Sequence, residues 1–256
     1  MAVTKFSQVK CIKGFLILIK DRRPYFIRNL IENFYKFWTY YFIKPQFTSV
    51  GKNLDINKPW NLDIYGNNIH IGNNVHFRTS KYIITQICAW NRNDSNASII
   101  IGDNVLISPG VRILSAKQIT IGNNVMLASN VYISDSDWHN VYDRIKTPGK
   151  SKEIIIKENA WIGEGSKISK GVTIGENSII GLGSIVISDV PDNKIYAGNP
   201  AKEIKSIDID KEIRKREDLF VSDNYNNLMK YLLKEDLKNN STLTWIRTLI
   251  FPRKGD

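Results

Sequence analysis

Aliphatic residues recur every six positions through the middle of the chain. The spacing is unbroken in the later part of the repeat, at Ile156, Ile162, Ile168, Ile174, Ile180 and Val186. It also occurs earlier, in two phases that differ by two residues, at Ile101, Ile107 and Ile113 and then at Ile121, Leu127 and Ile133. Helices bring apolar residues every three or four positions, and two-sided strands every two. The period of six instead predicts short strands separated by turns, each with one aliphatic side chain pointing inward.

Small residues and glycines mark other fixed positions of the same repeat. Val105, Val125 and Ser166 lie four residues after an aliphatic position, and Gly102 and Gly163 follow one directly. Glycine, Asn and Asp near the corners adopt turn conformations that other residues resist. Three hexads would complete one triangular coil, and successive coils would stack by parallel strand pairing. The spacing therefore predicts a parallel solenoid and leaves its hand open.

This pattern resembles the hexapeptide-repeat acyltransferases over roughly residues 60–205. The resemblance implies an all-β solenoid, specifically a left-handed parallel β-helix, with extra segments at both ends. We expect residues 1–48 to form a basic, aromatic and helical N-terminal segment, residues 49–205 the β-helix acyltransferase domain, and residues 206–256 a helical C-terminal segment beside the last coils. A homotrimer with active sites between neighbouring subunits is also implied.

The hexads stop between Ile133 and Ile154, and long loops inside a repeat are usually functional. In the family that this chain resembles, such a loop carries the catalytic histidine, and His139 is the only histidine in it. Imidazole titrates near neutrality and suits the removal of a hydroxyl proton. Asp137, Asp135 or a backbone carbonyl could hold its other nitrogen, and Asp137 could instead bind the sugar. The alternatives are a surface histidine and ordinary Asp-rich turn chemistry.

The part of the chain that follows the loop contains six residues that resemble the family's coenzyme A site. Trp161 would lie against the pantetheine arm, and the coil around Leu182 and Gly183 would face it. The resemblance also places Gly163 here and lets the Trp161–Gly163 amides stabilise the oxyanion. Lys202 and Lys205, after the last coil, would meet the nucleotide phosphates. Alternatively, Trp161 packs under the loop or against a neighbouring subunit. The two lysines could likewise belong to a solvated basic end with no ligand.

A metal site is not expected. Some relatives of this fold are zinc enzymes with three histidines on neighbouring coils. Here His70 and His76 lie six residues apart, but His139 is more than three coils beyond them. Structural or surface histidines are the better interpretation, so acetyl-CoA is the one small molecule predicted besides the acceptor.

The charge is unevenly placed. Of the net charge of +11, residues 1–50 contribute +7, with nine Lys or Arg against Asp21 and Glu32. A nucleic-acid-binding core would spread its charge along a binding face, so no nucleic-acid partner is expected. Residues 25–47 also hold ten of the 27 aromatic residues. Such a segment suits a membrane interface, and it equally suits packing on the solenoid or on a partner chain.

The opening residues lack the pattern of a secretory signal, and Cys11 and Cys88 cannot form a disulfide framework. These features predict a cytoplasmic location, with a peripheral contact at the inner face of the cytoplasmic membrane if the N-terminal segment binds lipid. The predicted function is an acetyl-CoA-dependent O-acetyltransferase acting on a sugar of a capsule, a lipopolysaccharide or their precursor. The alternatives are an N-acetyltransferase of an amino sugar and a non-catalytic β-helix scaffold.

Overall fold

The chain forms two structural units. The computed structural model describes residues 9–12, 15–18, 21–91, 96–145, 147–221 and 224–253. One unit comprises the described parts of Met1–Phe34 and Ser222–Asp256, and the other is Tyr35–Val221. The predicted divisions at 48/49 and 205/206 differ from these limits because flanking residues on both sides pack on the β-helix.

The strands are short and evenly distributed. In chain order they are β1 (Val9–Ile12), β2 (Phe15–Leu18), β3 (Ser49–Val50), β4 (Asp55–Asn57), β5 (Leu62–Tyr65), β6 (Ile69–Ile71), β7 (His76–Arg78), β8 (Thr85–Ala89), β9 (Ser98–Ile101), β10 (Leu106–Ile107), β11 (Arg112–Ser115), β12 (Gln118–Ile121), β13 (Met126–Leu127), β14 (Tyr132–Ser134), β15 (Ile154–Ile156), β16 (Trp161–Ile162), β17 (Lys167–Ile168), β18 (Thr173–Ile174), β19 (Ile179–Ile180), β20 (Ile185–Val186), β21 (Lys194–Gly198) and β22 (Ala201–Ser206).

Strands β3 to β22 form three sheets. Sheet 1 has the order β3-β6-β9-β12-β15-β18, sheet 2 the order β4-β7-β10-β13-β16-β19-β21-β22, and sheet 3 the order β5-β8-β11-β14-β17-β20. Each coil contributes one strand to each sheet in turn, and all neighbours pair in parallel except β21 and β22, which form an antiparallel hairpin. The described chain thus makes six coils of a parallel β-helix and closes with that hairpin, as the six-residue period predicts.

The aliphatic hexad residues form the core. Ile101, Ile121, Ile156 and Ile174 are register partners on sheet 1, and all four are buried. Matching buried ladders run along sheets 2 and 3. Because each side chain packs between the equivalent residues of adjacent coils, truncating one to alanine should cost roughly 2–5 kcal/mol.

Asparagines occupy the corner between sheets 1 and 2. Asn74, Asn104, Asn124, Asn159 and Asn177 all have left-handed backbone conformations, with φ between 53° and 62°. Asparagine tolerates this region better than other non-glycine residues. The amide of Asn74 donates to the Asn104 side chain (2.9 Å), and that of Asn159 donates to Asn177 (2.9 Å). The ladder therefore links the coils along this corner.

A segment after the closing hairpin returns along the same corner. The Lys215 ammonium pairs with Glu158 (2.5 Å), Arg216 Nε donates to the Asn104 carbonyl (2.7 Å), and the Glu217 amide donates to Asn124 (2.9 Å). Arg216–Leu219 is a 3-10 turn. The first part of the C-terminal segment, which was expected to be helical, therefore has only this 3-10 turn, and the helices of the segment come later in the chain. Side chains of the Asn corner draw this segment back to coils 3 to 5 instead.

The residues before the first coil pack on the β-helix. Helix α1 (Tyr25–Trp38) begins in the first unit and ends in the second, and it is followed by a π-helix (Thr39–Ile43) and a 3-10 turn (Lys44–Gln46). Ile43 and Phe47 are buried in the core, and Trp38 packs against it. The same stretch leaves Phe37, Tyr41 and other aromatic side chains exposed.

The other unit combines the two ends of the chain. It contains the β1–β2 hairpin, the start of α1, and helices α2 (Asn224–Leu237) and α3 (Thr242–Ile250). The Asn240 amide donates to the carbonyls of Asp21 (2.6 Å) and Arg23 (3.0 Å). Across the described residues, every helix is too short or too polar to cross a bilayer.

His76 ties the returning segment to coil 2. Burial, with the positive charges of Arg78 and Arg216 and against the opposing charge of Asp55, lowers the pKa of His76 to about 4. Arg78 donates to its Nδ1 (3.2 Å), and the Phe220 ring meets the imidazole edge-on. The folded chain therefore holds this imidazole neutral at pH values where an unfolded chain would protonate it.

We predict a pH-dependent loss of stability that originates at His76. Between the unfolded pKa near 6.5 and the folded value of about 4, only the unfolded chain binds this proton, so stability should fall as pH decreases. Urea unfolding at pH 7 and pH 5 should show the wild type losing about 2 kcal/mol more than His76→Gln. Equal losses in the two proteins would contradict the assignment.

Candidate active site

The loop that interrupts the repeat is anchored by a buried carboxylate. Asp135 accepts hydrogen bonds from the Ser115 hydroxyl (2.8 Å) and from the backbone amides of Ala116 (2.7 Å) and Lys117 (2.9 Å). The side chain is fully buried, so these three donors replace the water that the carboxylate loses. Asp135 therefore fixes the start of the loop to the preceding coil, and it does not contact His139.

Serine hydroxyls and Trp138 shape the next residues. The Trp138 indole donates to Ser134 Oγ (3.0 Å), and its backbone amide donates to Ser136 Oγ (3.1 Å). Trp138 has φ of 62°, an unusual value for a large side chain. The two hydrogen bonds hold it there, one residue before His139.

The His139 imidazole is oriented by a backbone carbonyl. Its Nδ1 lies 2.8 Å from the Arg144 carbonyl oxygen, which can only accept, so Nδ1 carries the proton and Nε2 is left with a lone pair. Gly149 packs on the backbone of His139, where a Cβ on Gly149 would lie 2.2 Å from the His139 oxygen. Of the orienting groups that the sequence left open, the structure uses the carbonyl.

Asp137 has a different partner. Its carboxylate pairs with the Lys170 ammonium on the following coil, while its backbone carbonyl accepts from the His139 amide (2.7 Å). The side chain thus fastens the loop to the β-helix and leaves the imidazole to Arg144. Asp137 is therefore hydrogen-bonded to His139 through its backbone carbonyl and not through its carboxylate.

His139 opens into a cavity of about 490 Å³ on sheet 3. The lining residues are Trp90, Arg112, Leu114, Ala116, Tyr132, Trp138, His139, Thr147 and Pro148. Most of them are apolar or aromatic, and the volume is typical of a small-molecule site. Of these residues only His139 was predicted as a site residue. The repeat carried a signal for Arg112 and Tyr132, because each directly precedes an inward isoleucine and must point outward on neighbouring coils.

The cysteine nearest this cavity is not a nucleophile. Cys88 is the register partner of Leu114 and is buried. Burial, together with the Asp63 carboxylate, raises the pKa of its thiol to about 11. The thiol therefore stays protonated at neutral pH and unreactive.

The predicted coenzyme A residues form one strip on sheet 2 and its corner with sheet 3. Trp161 points outward with 46% of its surface exposed and pairs in register with Ile179, which pairs with Ile195. Gly163 lies against Gly181 of the next coil, where a Cβ would come within 2.8 Å of the Gly181 backbone. Leu182 is 82% exposed beside Gly183, whose φ is +67°.

The two predicted lysines lie at the far end of this strip. Lys205 pairs with Ile195 and so extends the row of Trp161, and Lys202 pairs with Ala197, which contacts Gly181. Three strand spacings separate Trp161 from Lys205, or roughly 14 Å. The surface is thus an exposed apolar track about 14 Å long with two exposed cations at one end. An extended pantetheine with terminal phosphates matches this order of groups.

The prediction that the Trp161 and Gly163 amides stabilise the oxyanion is wrong. The Trp161 amide donates to the Ser178 carbonyl (2.9 Å), and the Gly163 amide donates to the Ile180 carbonyl (2.8 Å). Both belong to the ladder that joins adjacent coils, so neither is available to a ligand. A glycine beside a strand in the sequence does not show whether the neighbouring backbone amides are already hydrogen-bonded to the next coil.

The two parts of the predicted site lie on different faces. The cavity with His139 belongs to sheet 3 at coils 2 to 4, whereas the strip belongs to sheet 2 from coil 5 onward. Within the described residues, no hydrogen bond or ion pair joins His139 to any of the six strip residues. One chain therefore does not bring its proton acceptor to its own strip.

The other histidines have structural contacts. His70 is hydrogen-bonded to the Ser49 hydroxyl (2.8 Å) and to the Asn68 side chain (3.0 Å) on sheet 1. His76 lies on sheet 2 beside Arg78. In the part of the chain that the structure describes, no three His, Cys, Asp or Glu side chains are grouped as metal ligands.

Comparison with known proteins agrees with this architecture. The family model for the bacterial transferase hexapeptide (six repeats) matches residues 153–188. The galactoside O-acetyltransferase of Escherichia coli K12 is 36% identical over 64% of this chain and 66% of its own length. The polysialic acid O-acetyltransferase of Escherichia coli O1:K1 is 41% identical over 43% of this chain and 36% of its own length. The chain thus spans less than two thirds of these curated relatives.

A solved structure shows the same fold. The N-acyltransferase AntD from Bacillus cereus, in complex with dTDP-4-amino-4,6-dideoxyglucose and coenzyme A, superposes with a TM-score of 0.52 at 25% identity, covering 74% of this chain and 94% of AntD. The predicted left-handed parallel β-helix is therefore confirmed. The chain thus carries the bacterial transferase hexapeptide repeat over residues 153–188, and its three-sheet β-helix and interrupting loop make it similar to the acetyltransferases and acyltransferases among its relatives.

Proposed function

We propose that the protein transfers an acetyl group from acetyl-CoA to a hydroxyl of a sugar in a surface polysaccharide, such as a capsule or lipopolysaccharide, or in its precursor. One observation carries the proposal: the Arg144 carbonyl fixes the His139 tautomer that leaves Nε2 unprotonated at an aromatic cavity. O-acetyltransferases of galactosides and of polysialic acid are among the relatives. A scaffold without chemistry would give no reason for a tautomer held in this way.

In the proposed reaction His139 is the general base. Bound acetyl-CoA supplies the acetyl group as a thioester. His139 Nε2 accepts the proton of the sugar hydroxyl as the hydroxyl oxygen bonds to the thioester carbon and the carbon–sulfur bond breaks. The imidazolium then returns this proton to the departing thiolate, while the Arg144 carbonyl holds the ring throughout. Asp137 is proposed as a positioning residue that fixes the His139 backbone through its pairing with Lys170.

The cavity is the proposed acceptor site. Trp90, Tyr132 and Trp138 present aromatic surfaces that suit the apolar faces of a sugar ring. The sheet 2 strip is the proposed donor site, with Trp161 and Leu182 along the pantetheine, Gly163 and Gly183 at the corner beside it, and Lys202 and Lys205 at the phosphates. The ammonium groups of the two lysines would act on the phosphates as point charges.

We propose that neighbouring copies complete each active site. The cavity and the strip face different directions on one chain, so a second copy must bring its strip to the cavity of the first. Trimers are typical of this family. A threefold ring of β-helices places a different sheet of each copy at every interface and closes on itself.

An amino sugar is the second candidate acceptor. AntD is an N-acyltransferase in complex with an amino sugar nucleotide. The same His139 could remove a proton from an attacking amine, so the geometry of the base does not distinguish an amine from a hydroxyl. Base-labile ester products would indicate the hydroxyl, and base-stable amides the amine.

Replacing His139 should remove most of the activity. We expect His139→Ala to lower kcat by at least about 100-fold, because that is the usual contribution of a positioned base. Thiol release from acetyl-CoA with a panel of methyl glycosides would measure it. His70→Ala is the matched control, since His70 lies on sheet 1 away from the cavity. Near-normal turnover by His139→Ala would refute the proposed mechanism.

The exposed aromatic residues before the first coil support a peripheral contact with an anionic membrane surface. Phe37, Tyr40, Tyr41 and Phe42 are each at least half exposed, beside Lys36 and Lys44. Trp38, Ile43 and Phe47 hold the same stretch on the core. One face of this segment therefore packs on the β-helix, and we propose that the exposed face contacts lipid. Acidic headgroups would attract the lysines while the rings settle at the interface.

Flotation with phosphatidylglycerol–phosphatidylcholine vesicles tests this contact. Wild-type protein should bind the vesicles, and less so as salt rises, because the charge attraction is screened. The double variant Phe37→Ser with Tyr41→Ser should bind at least severalfold less, whereas Tyr82→Ser, at an even more exposed aromatic on the β-helix, should not differ from wild type. Binding that is unchanged in the double variant would exclude this surface.

A further inference from the structure

An arginine in the cavity is held in place by its neighbours on sheet 3. Asp63, Gln86, Arg112 and Tyr132 are register partners on four successive coils. Arg112 Nε donates to Gln86 Oε1 (2.7 Å), and Gln86 Nε2 donates to Asp63 Oδ2 (3.0 Å). The guanidinium lies over the Tyr132 ring, 5.3 Å from its centroid. One edge of the guanidinium is therefore fixed, which orients the terminal nitrogens.

The charge of Arg112 has no direct counter-ion in the described residues. Gln86 separates it from Asp63, and the two carboxylates at the start of the loop are engaged elsewhere, Asp135 with three donors and Asp137 with Lys170. Lys167 follows Tyr132 in the same outward row, on the next coil. The row thus presents two cations, one on each side of an aromatic ring, on the face that carries the cavity.

The surroundings favour a negatively charged ligand. Leu114, Ala116, Trp138 and Pro148 make the rest of the cavity largely apolar, and apolar walls strengthen a charge interaction by excluding water. A guanidinium donates two parallel hydrogen bonds to a carboxylate or a phosphate. His139 lines the same cavity, so one bound sugar could meet both residues.

We propose that the acceptor is a sugar bearing an anionic group, a carboxylate or a phosphate, and that Arg112 is the residue that selects it. This inference rests on the proposed function, because it assigns the acceptor of that same site. In the bound acceptor the anionic group lies against Arg112, and the hydroxyl to be acetylated lies at His139 Nε2. Neutral sugars of the same ring shape fit the aromatic walls but give the Arg112 charge no anionic partner.

Binding measurements test the selection of the acceptor by Arg112 independently of acetyl transfer by His139. Isothermal titration of the full chain would compare methyl glucuronide and glucose 6-phosphate with neutral methyl glucoside. We expect at least about tenfold tighter binding of one anionic sugar, the usual range for hydrogen bonds to a charged group. The carboxylate and phosphate arms identify which anion is preferred. Arg112→Gln should remove the preference, and Arg112→Lys should retain only part of it, because lysine lacks the planar fork.

Two controls keep the outcomes distinct. Lys157→Gln removes an exposed cation elsewhere on the β-helix and should leave the preference unchanged. His139→Ala should bind the anionic sugar like wild type although it cannot acetylate. Equal binding of anionic and neutral sugars, or a preference that survives Arg112→Gln, overturns the inference and leaves the proposed function standing. If anionic sugars are preferred as expected but His139→Ala still acetylates them, the proposed function is overturned instead.

Discussion

Each strand of the β-helix turns one aliphatic side chain inward, and that side chain is buried only when the coils on both sides are present. Parallel pairing brings Ile121 onto Ile101 and Ile156 onto Ile121, so each hexad depends on its neighbours. Slipping the register by one residue would turn the aliphatic row outward. The six-residue spacing is therefore the constraint that fixes the position of every other side chain on the three faces.

Fixed inward rows create fixed outward rows. Arg112 and Tyr132 lie side by side because Ile113 and Ile133 stack beneath them, and Trp161 aligns with Lys205 because Ile179 and Ile195 lie between them. The proposed acceptor and donor sites both use such rows, so neither needs a dedicated scaffold. What the repeat cannot provide is a proton acceptor, and the loop between β14 and β15 adds it. Asp135 anchors this loop, and the Arg144 carbonyl orients His139.

The sequence predicted the parts of the structure that follow from periodicity. The unbroken hexad from Ile156 to Val186 predicted the coils and the buried core, and the interruption after Ile133 located the loop. It did not predict that the Trp161 and Gly163 amides would be consumed between coils, because hydrogen-bond direction depends on strand register. The sequence left the partner of His139 open among Asp137, Asp135 and a backbone carbonyl, because a carbonyl five residues away has no side-chain signature. The return of Arg216 to Asn104 is a tertiary contact that local propensity cannot indicate.

A complete active site, as proposed, takes His139 from one copy and the coenzyme A strip from another. Co-expression of His139→Ala with a Lys202→Glu, Lys205→Glu chain tests this directly, at an acetyl-CoA concentration at which each variant alone is inactive. Random assembly into trimers with shared sites should restore about a quarter of wild-type activity, because a site works when an intact cavity meets an intact strip. If each chain uses only its own residues, every site carries one defect. Mixed assemblies that remain inactive would show that the sites are not shared between copies.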